Sequence, residues 1–107
     1  MDNWRLNNLL SLFEEDDKDS FVHYALAQEY LKLNQASDAL VHFEYIRRHD
    51  PTYVGVYYHL AATYTAVNDN DNAMLVYDEG IAMAQKLGEQ HALSELMNAK
   101  MNLEIGD

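Results

Sequence analysis

One pattern of residues occurs twice in this chain, 34 positions apart. Leu26 and Ala27 followed by Tyr30 return as Leu60 and Ala61 followed by Tyr64, and Ala39, Leu40 and Phe43 return as Ala73, Met74 and Tyr77. Asn34 returns as Asn68 between the two halves of each copy. A fixed period of this length leaves few folds open, because each copy is a supersecondary unit that cannot bury its apolar face without a neighbour. Inside each copy the apolar residues recur at helical spacing: Val22, Leu26, Tyr30 and then Ala39, Phe43, Ile46, with Val56, Leu60, Tyr64 and Ala73, Tyr77, Ala84 in the second.

The spacing predicts six helices, over 3–15, 20–33, 36–49, 54–67, 71–87 and 90–104. Asp19 or Ser20 is placed to cap the second, and Asn34, Asn68 and Gly88 to end helices in the left-handed region that asparagine and glycine tolerate. Asp50 followed by Pro51 stops the third. Gly80 stands where the first copy has Ile46, which predicts a close helix contact there. One period back from the third helix, Leu6, Leu9 and Leu12 fall over Leu40, Phe43 and Ile46, so the first helix reads as the second half of a missing repeat. The last helix breaks strict register, with Ser94 for Leu26 and Leu60 and Asn98 for Tyr30 and Tyr64. A slip of two residues restores packing through Leu93, Leu96 and Met97, giving a closing helix with a wetter outer face.

These units resemble the tetratricopeptide repeat, a helix–turn–helix with small residues where paired helices cross. Ala27, Ala39, Ala61 and Ala73 match the small positions; Tyr30, Phe43, Tyr64 and Tyr77 match the large ones around them, and Pro51 the closing proline. The resemblance implies an all-α tetratricopeptide-repeat right-handed superhelix of three antiparallel helix pairs. Its parts would be a half-repeat over 1–19, repeats over 20–53 and 54–87, and a closing helix over 88–107. In this family the first helix of each pair lines the concave side. That carries the partner-binding positions onto Tyr24, Gln28, Leu31 and Lys32 in the first repeat and Tyr58, Ala62 and Thr65 in the second, with Phe21, Gly55 and Ala66 beside them. One subfamily clamps chaperone C-termini through lysine and asparagine at these positions. Here Tyr24, Gln28 and Ala62 stand there instead, and Lys32 alone does not replace the clamp.

The implied function is a non-catalytic adaptor that holds a segment of another protein in its groove. The alternative is a self-associating module, a homo-dimer or larger assembly through Trp4, Leu12, Met101 and Leu103 on the outer helices. Eighteen acidic residues against seven basic ones give a net charge of −11, which argues against nucleic acid and anionic membrane and fits either plain solubility or a basic protein partner. There is no cysteine, hence no thiolate chemistry. His42 and His49 are seven apart, and His91 with Glu95 is a single i, i+4 pair, so no zinc set closes. Asn68 through Glu79 imitates a calcium loop but carries Ala73 where the sharp turn needs glycine. No cofactor or catalytic constellation is expected. The first residues lack a basic segment ahead of an apolar run, and no run reaches membrane-spanning length, so a cytoplasmic protein is expected.

Overall fold

A computed structural model describes residues 3–106. Six α-helices account for all regular structure among them: α1 Trp4–Glu15, α2 Ser20–Lys32, α3 Ala36–His49, α4 Gly55–Ala66, α5 Asn70–Leu87 and α6 Gln90–Ile105. The expected helix boundaries hold to within a residue or two. None of these helices is long and apolar enough to cross a membrane.

The capping residues act as their chemistry dictates. Asn3 accepts from the Leu6 N–H, Asp19 from Phe21 and Asp69 from Asn72, each supplying one of the acceptors a helix start lacks. Asn34 and Asn68 sit at φ 59° and 64°, the only non-glycine residues with positive φ among those described. Each ends its hairpin's first helix with the same pair of bonds: Gln35 N–H donates to the Tyr30 carbonyl and Asn34 N–H to Leu31, as Asp69 donates to Tyr64 and Asn68 to Thr65. One turn, written twice in the sequence, is built twice. Helix α5 runs straight through the calcium-like segment from Asn70 onward, so no loop exists there to hold an ion.

The chain divides between Asp50 and Pro51 into two compact units. In the first, α2 packs against α3 and α1 against α2. Leu26, Ala27, Ala39, Phe43 and Ile46 are wholly buried, and Leu9, Val22 and Ala25 nearly so. Leu6, Leu10, Phe13 and Tyr30 close over Leu9, Val22, Ala25 and Leu26, which docks the half-repeat helix on the hairpin. In the second unit α5 packs against both α4 and α6, and α4 also meets α6. Val56, Leu60, Ala61, Ala73, Val76 and Ala84 are wholly buried there, with Tyr57, Tyr77 and Leu96 close to it. Each large apolar side chain so placed contributes roughly 1.5–3 kcal/mol.

Leu96 is buried where the two-residue slip requires, and Leu93 is half-buried; Met97, expected to pack with them, is 50% exposed. Gly80 has the expected close contact: a Cβ there would lie 2.5 Å from Tyr57 Cβ and 3.1 Å from Leu96 Cδ1. Trp4, 71% exposed, does not fold over the edge of α1.

Candidate functional site

In the second unit α4 and α6 face each other across a cleft of about 640 Å³. Tyr58, Ala62 and Thr65 line it from α4, one helical stripe at i, i+4 and i+7. Glu95, Asn98 and Asn102 line it from α6 at the same kind of spacing, with Ala99 and Leu103 between them. Tyr77 closes its α5 side, and Asn68 and Asn70 stand at the α4–α5 turn. Burial, then the neighbouring Tyr58, pushes the Tyr77 phenol above its ordinary range, so it stays a neutral donor. Among the described residues, four asparagines, two tyrosines and one threonine offer donors and acceptors without charge, and Glu95 is the single charged residue lining the cleft.

All three second-repeat positions implied by the resemblance therefore share this cleft. The residues that the sequence did not single out are Asn98 and Asn102. In repeat register Asn98 looked like a solvating substitution for a tyrosine; its four-residue spacing from Asn102 was the signal that both occupy one face.

The first-repeat positions lie on α2 of the other unit. Tyr24 is half-buried with its ring 6.0 Å from Phe43, at 65°. Gln28 and Leu31 are half-buried, and Phe21 is 63% exposed. Lys32 is exposed and its ammonium lies 3.1 Å from the Glu29 carboxylate, which Arg5 of α1 also meets at 2.8 Å. Glu29 was missed: its charge suits a helix exterior, yet its side chain is buried. Burial raises its pKa, but the bonds and charges of Lys32 and Arg5 outweigh that and hold it below the usual carboxylate range. Counting helically from Val22 and Leu26 places position 29 on the buried stripe, so the register alone could have found it.

The first unit also holds a ring cluster. His23 is buried; its Nε2 is 2.7 Å from the Asp17 carbonyl and its Nδ1 is 3.0 Å from His42 Nδ1. A carbonyl only accepts, so Nε2 of His23 carries a proton; with both rings neutral, its Nδ1 accepts from His42 Nδ1–H. Tyr45 stacks on His23 at 3.8 Å, Tyr30 lies parallel to His42 at 5.7 Å, and Phe13 meets both imidazoles edge-on. Burial, then the nearby His23, lowers the His42 pKa against a smaller opposing pull from Asp38. A hollow of about 600 Å³ opens beside these rings, lined by Leu40, Val41, Glu44, Arg48 and His49 among others. Tyr24, Gln28, Leu31 and Lys32 do not line it. Among the described residues no three histidine, aspartate or glutamate side chains converge to hold a metal ion.

Paired helices with alanines at their crossings, the same asparagine-capped turn twice, and a helix added at each end define a helical-repeat protein. No protein-family model and no curated protein matches the chain. Solved structures do. The crystal structure of a tetratricopeptide repeat domain protein from Salinibacter ruber is 46% identical, with TM-score 0.78, over 83% of this chain and 99% of that one. Its solution structure gives TM-score 0.81 at the same 46% identity, over 86% and 93%. A protein of Bordetella parapertussis shares the fold alone, at 24% identity and TM-score 0.82, over 95% and 89%. The chain belongs to the tetratricopeptide repeat family. Its fold is the all-α helical repeat of that family, and the chain is a protein-interaction repeat module.

Proposed function

We propose that the chain is an adaptor whose α4/α6 cleft holds an extended segment of a partner protein. The observation that supports this reading is the shared lining of Tyr58, Ala62 and Thr65 with Asn98 and Asn102. An amide side chain presents one acceptor and two donors, the inventory needed to pair with the backbone of a strand-like segment. Tyr58 and Tyr77 supply ring surface with a polar tip, and Ala62 and Ala99 keep the space between the helices open. In the first repeat Tyr24, Gln28, Leu31 and Lys32 of α2 are proposed as a further set of partner-binding residues.

Peptides selected from a displayed random library test it. The expected result is that bound peptides shift the amide NMR signals of Tyr58, Thr65, Asn98 and Asn102. Tyr58→Ala should then weaken binding by about 2 kcal/mol, roughly thirtyfold, with the helical signal kept. Peptides that bind without moving those signals overturn the reading.

A second reading, self-association, draws on the exposed apolar residues of the outer helices: Trp4, Met101 at 54% and Ile105 at 75%. Against it stands Met97. With the two-residue slip it occupies the position of Ala27 and Ala61, the small residues at which paired helices cross, so a second copy's α1 could not seat on α6 as a repeat's own second helix does. Light scattering that stays monomeric across a concentration series removes this reading.

A further inference from the structure

Resting on the cleft reading above, we infer that the bound segment is basic, with a lysine or arginine side chain received by Glu95. Of the twelve described residues that line the cleft, only Glu95 is charged and none is a cation. Nothing in it would neutralise an acidic side chain or a terminal carboxylate, so such a group would meet repulsion from Glu95.

The cations nearby are committed or weakly placed. Lys100, on the same helix, is 2.8 Å from Asp78 of α5, whose hydrogen bond raises the lysine pKa and keeps it charged and occupied. His91 reaches Glu95 only at 3.8 Å and is 92% exposed, a loose contact in water. His59 is held below its ordinary pKa by burial, with Glu95 pulling the other way, so above the ordinary histidine range it brings no positive charge to the site. The Glu95 side chain is half-exposed, which suits it to receive a charged group without the cost of burying one alone.

The surrounding field acts in the same direction. A chain of net charge −11 draws a cationic segment toward it and repels an anionic one. The asparagines would read the backbone and Glu95 one side chain. The neutral rings and amides leave the identity of the other residues loosely specified.

Three blocked peptides of alternating serine and alanine, identical but for a central lysine, norleucine or glutamate, separate the possibilities in NMR titrations against the intact chain. The lysine peptide should shift Glu95, Asn98 and Asn102 and bind about fivefold more tightly than its norleucine twin at low salt, the worth of one part-exposed ion pair. The glutamate peptide should bind more weakly than either. Glu95→Gln, which keeps the shape and removes the charge, should erase the preference for lysine over norleucine, and raised salt should shrink that preference in the wild type. Equal binding of lysine and norleucine peptides, with the cleft signals still moving, overturns the charge assignment and leaves the cleft reading intact. A lysine preference that persists in Glu95→Gln also overturns it. No shift at the cleft from any of the three overturns both.

Discussion

The two hairpins share a turn, a set of crossing alanines and a register, yet they solve the same polar problem with different side chains. His23 and Tyr57 are equivalent positions, 34 apart, and both are buried. His23 donates from Nε2 to the carbonyl of Asp17; Tyr57 donates from its hydroxyl to the carbonyl of Pro51 at 2.6 Å. Each carbonyl lies six residues before its donor, so both side chains fasten the incoming loop to the first helix of the pair. Below them the repeats diverge. His23 has a second nitrogen that needs a partner, and His42 supplies it where the second repeat has the apolar Val76. Likewise Glu29 is buried with two cations, while its equivalent Thr63 needs only the His59 carbonyl four residues back, at 2.7 Å. A repeat position fixes a task, fastening or filling; the residue chosen decides how many further side chains must follow.

The largest expected effect comes from exchanging Gly80 and Ile46, the buried equivalent positions that differ most in size. Gly80→Ile forces side-chain atoms into the space where even a Cβ would lie 2.5 Å from Tyr57 Cβ. Overpacking of this kind costs about 1–3 kcal/mol or more, and here it also threatens the Tyr57 bond. Ile46→Gly empties a wholly buried site and adds glycine's helix cost, together roughly 4 kcal/mol. Since each 1 kcal/mol moves a domain of this size by about 4–8 °C, Ile46→Gly should melt at least ~15 °C below wild type and Gly80→Ile roughly 4–24 °C below it. Gly80→Ile melting with the wild type would show that the second unit is not closed as tightly as its glycine implies.

A smaller pair of changes removes the fastening bonds. Tyr57→Phe keeps the ring and deletes one hydrogen bond, so a loss of about 1 kcal/mol is expected. His23→Phe also deletes one bond to the preceding carbonyl but strands the His42 Nδ1–H beside a ring that cannot accept. The stranded group adds about 1–3 kcal/mol, so the first-repeat change should cost more. Chemical denaturation of the two variants checks the order. Equal losses would mean that His42 finds water at once and that the imidazole pair does not hold the first unit together.

The helices, the two asparagine turns, the slip that buries Leu96 and the Gly80 contact were legible because each depends on residues near in sequence or related by one fixed period. The cleft was half legible. Tyr58, Ala62 and Thr65 were implied by the family resemblance, whereas Asn98 and Asn102 lie in the helix whose register had slipped, so no equivalent residue announced them. His42 was weighed as a metal ligand and set aside; its actual pairing with His23 depends on two helices bringing Nδ1 to Nδ1, which no linear spacing encodes. Glu29 shows the opposite case, a buried residue in perfect register that was passed over because its charge suggested a surface.

The smallest effect, and the one that separates the units most cleanly, is on pH. His42 in the first unit and His59 in the second both have pKa values lowered by burial, from an ordinary 6.5. A histidine whose folded pKa lies below its unfolded one stays neutral in the native state while the unfolded chain takes up a proton. The unfolded state then binds more protons in that interval, so stability rises with pH there. Each group's contribution is full above about pH 6.5 and is lost as pH falls below it, until the native ring also protonates. Between about pH 6.5 and 5.5 the ordinary carboxylates remain ionised, which keeps their titration out of the window. Each histidine has a neutral counterpart at its own repeat position: Val76 for His42 and Ala25 for His59. His59→Ala should therefore remove the second unit's acid sensitivity, and His42→Val the first unit's, although the latter also leaves His23 Nδ1 without its donor and lowers stability at every pH. Melting temperatures across this window should fall for the wild type, fall less for each single variant, and fall least for the double one. A double variant that tracks the wild type would mean that both imidazoles charge freely in the native state, and that neither unit senses acid through its histidine.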